Sequence, residues 1–230
     1  MKIAAFTKTY GKKTVLHFPA CELPQGRIVA VIGANGSGKS TLAKVLSGIE
    51  PSDQRVRPLM GVSLGYLPQK SYGFHMSLRA NLLLNGGDKA LAARRMDALK
   101  IRDLEKARAD RLSGGETARM ALARLLMRPY DLVILDEPTA AITDREVELL
   151  FGHIRRLKEQ GVAIIYISHR MGEIFSICDR VSVVDHSSGI RGYVGLTFCS
   201  VDKKRVYLAY IGFEFRERGK ARAAESDKTG

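Results

Sequence analysis

The sequence predicts an α/β fold with a mostly parallel central sheet, and three observations carry that prediction. Runs of strand length, Ile28 to Ile32, Leu132 to Leu135 and Val162 to Ile167, alternate with segments of helical periodicity. Each run is apolar or aromatic throughout, as a strand buried on both faces requires. Between the second and third runs lies an amphipathic helix. Thr143 and Glu146 offer it a capping box, Val147, Leu150, Phe151, Ile154 and Leu157 form its apolar stripe, and Gly161 ends it.

In chain order, the first run leads into Gly33-Ala34-Asn35-Gly36-Ser37-Gly38-Lys39-Ser40-Thr41, and Leu42 to Leu46 continue as a helix that Gly48 stops. Residues from about Ser71 to Arg111 are rich in Ala, Leu and Arg and carry no strand pattern, so they read as a small inserted helical subdomain. Leu112-Ser113-Gly114-Gly115-Glu116 then opens a helix whose stripe is Met120, Leu122, Leu125 and Leu126, closing before Pro129. The second run ends in Asp136-Glu137-Pro138. No internal repeat is present. The expected organisation is one domain over residues 1–188, with the insertion at about 71–111, and an unassigned basic tail over 189–230. The end of that tail, from Glu217, is polar and expected to fray.

Composition excludes several classes. No apolar run approaches the roughly 20 residues needed to span a bilayer, and the N-terminus lacks the apolar core of a signal peptide. The expectation is a cytoplasmic protein that reaches a membrane only through a partner. Cys21, Cys178 and Cys199 are too far apart in sequence to form a metal-ligand pair and argue against a disulfide framework. The excess of 37 basic over 24 acidic residues, net +13, invites a nucleic-acid or anionic-membrane reading. The basic residues are scattered, with no aromatic-interleaved stripe, so an ordinary basic surface is the preferred reading.

Gly33 to Ser40 fits G-x-x-x-x-G-K-[ST] between a strand and a helix. In that setting the glycines let backbone amides turn inward, and the positive end of the helix helps hold anionic oxygens. Lys39 is then expected on the β- and γ-phosphates and the Ser40 hydroxyl on magnesium. A glycine turn that merely joins strand to helix is the bland alternative. The full pattern with both flanks disfavours it.

Asp136 and Glu137 emerge at the end of a buried run. A carboxylate there holds magnesium directly or through water, and a neighbour can accept a proton from an attacking water. Consecutive strand residues point to opposite faces, so the two carboxylates are expected to do separate jobs: Asp136 on the metal, Glu137 as base. A solvated acidic turn is the alternative. Ser113 is a good N-cap and Glu116 completes a capping box, so on its own this segment is simply a well-capped helix.

Taken together, the three motifs resemble the ATP-binding cassette (ABC) family over about Phe6 to Val184, with Ser113-Gly114-Gly115 in place of its signature. The resemblance implies a phosphate-loop NTPase fold with an N-terminal antiparallel β subdomain and a helical insertion. It also implies ATP and Mg2+ as ligands and ATP hydrolysis as the activity. In that family two cassettes pair head to tail, so Ser113 and Gly115 would touch the γ-phosphate of the other chain. Under twofold symmetry two half-sites become two whole ones. Tyr10 resembles the aromatic on which adenine stacks, a strand-end tyrosine packed on the core being the alternative. Gln69, in Tyr66-Leu67-Pro68-Gln69, resembles the glutamine that touches magnesium and the attacking water. His169 resembles the switch histidine on the γ-phosphate.

The chain also departs from the pattern. Ala140-Ala141-Ile142-Thr143 precedes Asp144 where the family often has Ser-Ala-Leu-Asp, Thr117-Ala118 stands before Arg119 in place of a glutamine, and the span from Lys39 to Ser113 is short. Beyond Val184 the fit is poor.

The reading is the ATPase subunit of an importer of a small solute, peripheral on the inner face of the cell membrane. Its partners would be a second cassette, separate transmembrane permease subunits and a solute-binding protein. A soluble ABC ATPase acting on ribosomes or nucleic acid is the rival, which the net charge suits. Against it stand the single cassette and the absence of a long coiled-coil or zinc insertion. A non-hydrolysing cassette is weaker still, since Glu137 and His169 are both present.

Overall fold

A computed structural model describes residues 1–84 and 87–184, apart from the side chain of residue 183, and the backbone of four short strands within 199–223. The N-terminal strands β1 (Lys2–Ile3), β2 (Phe6–Tyr10), β3 (Lys13–Phe18) and β4 (Cys21–Glu22) pair antiparallel, β1 with β4 and β2 with β3. Gly11, at φ 59°, closes the tight turn between β2 and β3, which a residue with a Cβ adopts only under strain.

The centre is built from β5 (Ile28–Ile32), α1 (Lys39–Leu46), β6 (Leu64–Leu67), α2 (Leu78–Leu83), α3 (Lys89–Ala98), α4 (Gly114–Leu125), β7 (Leu132–Asp136), α5 (Asp144–Glu159), β8 (Ala163–Ile167), α6 (Met171–Ile177) and β9 (Arg180–Val183). Strands β6, β7, β8, β5 and β9 lie side by side in that order, all parallel. Thus the mostly parallel sheet and the antiparallel N-terminal strands are both present. In the tail, β10 (Cys199–Asp202) adds antiparallel to β9, followed by β11 (Arg205–Leu208), β12 (Phe213–Arg216) and β13 (Arg222–Ala223). The fraying expected from Glu217 onward lies, apart from β13, outside the described residues.

Strand alternation divides the core between the two faces of the sheet. Ile28, Ala30 and Ile32 of β5 join Val133 and Leu135 of β7 on one face, under α4 and α5. Val29 and Val31 join Leu132 and Ile134 on the other, where Leu42 and Val45 of α1 and Phe6, Leu16 and Phe18 of the N-terminal strands cover them. Both faces are therefore dry, which is why the runs contain no polar residue to mark an outside.

Both expected capping boxes form. The Ser113 amide donates to Glu116 Oε2 at 2.8 Å and the Glu116 amide to Ser113 Oγ at 3.3 Å, fixing the start of α4. At the start of α5 the Thr143 amide and hydroxyl donate to Glu146 Oε2 at 2.8 and 2.9 Å, and the Glu146 amide donates to the Thr143 carbonyl at 2.9 Å. Between β6 and α4 the described elements are α2, α3 and two 3-10 turns, with one isolated antiparallel bridge between Ser77 and Arg108.

Candidate functional site

Two parallel strands end side by side and deliver the chemistry. β5 runs into the glycine loop, which leads to α1; β7 ends at Asp136. The loop needs its glycines. Gly33 has φ 153°, and a Cβ there would sit 2.3 Å from the Val184 carbonyl oxygen. Gly36 and Gly38 have φ 78° and 100°, and a Cβ on Gly38 would approach the Val15 carbonyl at 3.2 Å. Asn35, Gly36, Gly38, Lys39, Ser40 and Thr41 line an open cleft of about 400 Å3, closed on its other sides by Val15, Gln69, Asp136 and Glu137.

Lys39 folds back over the loop, its ammonium donating to the carbonyls of Gly33 at 2.8 Å and Ala34 at 2.9 Å. Burial pushes its pKa down, and the charges of Glu137 and Asp136 push it back up. Within the loop the Ser37 hydroxyl is buried and lacks a hydrogen-bond partner. Ser40 Oγ donates to Asp136 Oδ1 at 3.4 Å. Asp136 is only 2% exposed, and burial raises its pKa against the bonds from Ser40 and Tyr66.

Glu137 departs from what strand alternation implies. It lies one residue past the end of β7 with φ 48°, so it does not turn to the opposite face from Asp136. Both carboxylates line the same cleft. They are separated by their partners instead: Asp136 faces two hydroxyls, whereas Glu137 places both oxygens 2.9 Å from Nδ1 of His169. A carboxylate accepts, so this nitrogen carries the proton. The amide of Glu137 donates to the Ile167 carbonyl at 2.9 Å and ties the two loops together. Non-glycine residues at positive φ cost energy and mark sites whose surroundings enforce them.

The structure brings Lys39, Ser40, Gln69, Asp136, Glu137 and His169 together. Tyr10 stands beside them, not among the lining residues. It is 45% exposed, its hydroxyl bonds Glu50, and the Lys8 ammonium sits 4.9 Å from its ring centroid. Ser113, Gly114 and Gly115 do not reach the cleft; they open α4 elsewhere on the chain, and Ser113 and Gly114 are exposed.

Tyr66 was not recognised from sequence. From β6 its hydroxyl donates to Asp136 Oδ2 at 3.3 Å, and burial raises its pKa. The signal available was its place in the run just before Gln69, on a strand beside β7.

Magnesium can be tested against the residues that would hold it. Ser40 Oγ and Asp136 converge, and Gln69 lines the same cleft, an all-oxygen set suited to a hard cation. Among the described residues no three His, Cys, Asp or Glu cluster to make a protein cage.

Residues 16–140, more than half of the chain, match the profile of the ABC transporter family. The ribose import ATP-binding protein RbsA of Bacillus licheniformis is 36% identical over 211 residues, spanning 80% of this chain and 43% of that protein. The protein of the same name from Bacillus subtilis is 34% identical over 237 residues, spanning 92% of this chain and 48% of its own. This chain therefore matches less than half the length of either relative. The solved structure of an ATP-binding subunit of an ABC transporter superimposes with a TM-score of 0.74 at 21% identity, over 87% of this chain and 90% of that one, a likeness of fold. By the matched profile and by the order of its motifs, the chain belongs to the ABC transporter family as an ATP-binding cassette.

Proposed function

We propose that the chain binds and hydrolyses ATP to drive an importer of a small solute. The observation that carries this reading is the convergence of Lys39, Ser40, Gln69, Asp136 and Glu137 on one cleft at the ends of β5 and β7, with His169 bonded to Glu137. Loop amides and the start of α1 receive the phosphates. Lys39 exchanges two backbone carbonyls for the β- and γ-phosphate oxygens, so its charge is already in place. Glu137 accepts the proton of a water attacking the γ-phosphate, and His169 holds the carboxylate in position. Magnesium, held by Ser40, Asp136 and Gln69, would supply neutralisation of phosphate charge. Catalysis is then mainly positioning and electrostatics.

The placement of Ser113 to Gly115 away from the cleft supports a pairing in which each chain's signature helix completes the other's site. Tyr10 is the adenine platform in this reading. Residues 1–188 form the cassette, with about 71–111 as its helical insertion.

For the partner, a second feature supports transport over the soluble rival. Beside Gln69 an open groove of about 730 Å3 runs from Tyr66 and Pro68 to Tyr72, Phe74 and Leu84. Tyr72 and Phe74 are exposed aromatics, held in place by the Arg124 guanidinium 5.1 and 5.5 Å from their ring centroids. A groove of mixed lining, with aromatics beside Lys44, Lys70 and Arg124, next to the glutamine loop suits a short amphipathic helix of a permease subunit. No described helix is itself long and apolar enough to cross a membrane. Affinity purification from membranes is expected to recover a multi-span subunit, and Phe74→Asp is expected to abolish that recovery while ATP binding persists. Recovery of ribosomes or RNA with no membrane protein overturns the transport reading.

A further inference from the structure

His169 is carried by Ser168-His169-Arg170, the short link from β8 to α6, and this link is tied down from below. Glu173, buried in the first turn of α6, accepts from the Tyr166 hydroxyl at 2.8 Å and the Ser168 hydroxyl at 3.0 Å, both on Oε2. Its other oxygen accepts from the Arg170 guanidinium at 3.2 Å. Ser168 Oγ in turn accepts from the Arg170 amide at 3.0 Å. Tyr166 and Ser168 are fully buried and Glu173 is 8% exposed. The residues on both sides of the histidine are thus fastened to one carboxylate. Beyond them the imidazole projects outward, its side chain 66% exposed, to meet Glu137.

Burying a carboxylate costs several kcal/mol unless its oxygens are satisfied. A first-turn glutamate ordinarily offsets that cost by facing the free amides of its own helix. Here the three donors are the Tyr166 and Ser168 hydroxyls and the Arg170 guanidinium, all from the strand end and the link. We infer that Glu173 is a positioning residue for His169, clamping both flanks of the link so that Nδ1 is presented to the Glu137 carboxylate. This rests on the reading of Glu137 and His169 as the hydrolytic pair.

A double-mutant cycle tests it, using the full chain and ATP turnover. In Glu173→Gln the charge facing Arg170 is lost, and an amide nitrogen in place of Oε2 only donates, so the Tyr166 and Ser168 hydroxyls must reverse to accept and all three ties lose their charge assistance. The expected result is a fall in kcat of between about 10- and 100-fold, with KM for ATP within about twofold, since small misplacements at a reacting centre cost that much. In a His169→Ala background the same substitution is expected to lower kcat no further. The His169 Nδ1 resonance, identified by its loss in His169→Ala, is expected to shift in Glu173→Gln toward its position in a solvated imidazole. Should Glu173→Gln fail to fold, Tyr166→Phe and Ser168→Ala each remove one tie and are expected to show the same dependence on His169, with smaller losses. Losses that multiply in the double variant, or an unmoved Nδ1 resonance, overturn the clamp and leave the hydrolytic pair standing. Undiminished turnover in His169→Ala overturns both.

Discussion

Nδ1 of His169 lies 2.9 Å from both carboxylate oxygens of Glu137, and the Glu137 amide bonds the Ile167 carbonyl two residues before that histidine. Glu137 is therefore fixed at backbone and side chain by the same neighbouring loop. Glu137→Gln keeps the shape and loses the basic oxygen. It is expected to bind ATP within a few-fold of wild type and to lose turnover by about 10²- to 10⁴-fold, the usual worth of a general base. Size-exclusion chromatography with ATP is expected to show a persistent dimer. Wild-type turnover in this variant removes Glu137 from the role of base.

Lys39 is held over the loop by the carbonyls of Gly33 and Ala34. Lys39→Ala removes two bonds that water can replace at a half-exposed position, so the unfolding midpoint should move little. What it removes from the complex is a charge-assisted contact to phosphate, worth about 1.5–3 kcal/mol. Calorimetric titration is expected to show ATP affinity reduced on the order of 10- to 100-fold. Unchanged affinity contradicts the phosphate-loop reading.

What could be read from sequence follows the range of the interactions. The glycine loop, its strand and helix, and the capping boxes of α4 and α5 are local, each encoded within a few residues, and their elements were legible. The apolar runs disclosed β5, β7 and β8 because they are too short for a helix, rich in Ile and Val, and bounded by residues such as Gly33, Pro138 and Gly161. The facing of Glu137 relative to Asp136 is not given by strand alternation, because a period of two holds only while the strand continues. At φ 48° Glu137 has already left it. Tyr66 reaches Asp136 across 70 residues of sequence, through the parallel pairing of β6 with β7. Glu173 matters through hydroxyls that look like ordinary core and cap residues in the text. Neither bond follows any periodicity.

Tyr66 gives a prediction at the metal site. Its hydroxyl holds Oδ2 of Asp136, which leaves Oδ1 turned to Ser40. Tyr66→Phe frees the carboxylate to rotate without altering the packing of the ring. The magnesium concentration for half-maximal turnover is expected to rise about 3- to 10-fold, roughly one hydrogen bond's worth. Nucleotide binding measured in a chelator, with no free magnesium, is expected to stay unchanged. An unaltered magnesium dependence means that the tyrosine serves only as packing.

Stability toward acid is expected to depend on His153, on the buried side of α5 and 8% exposed. Burial lowers its pKa from 6.5, the bond to the Ala98 carbonyl opposes this, and the charges of Arg156 and Arg95 lower it further. The unfolded chain thus takes up this proton before the folded one does. Below about pH 6.5 the unfolded state binds more protons, so stability falls as pH drops, until the lower folded pKa is reached. The slope from one such group is at most about 1.4 kcal/mol per pH unit. His153→Gln retains a donor for the Ala98 carbonyl and does not titrate. Urea unfolding at pH 7.5 and 5.5 is expected to show wild type losing more stability between the two than the variant does. Equal losses in the two proteins assign the acid sensitivity to other groups.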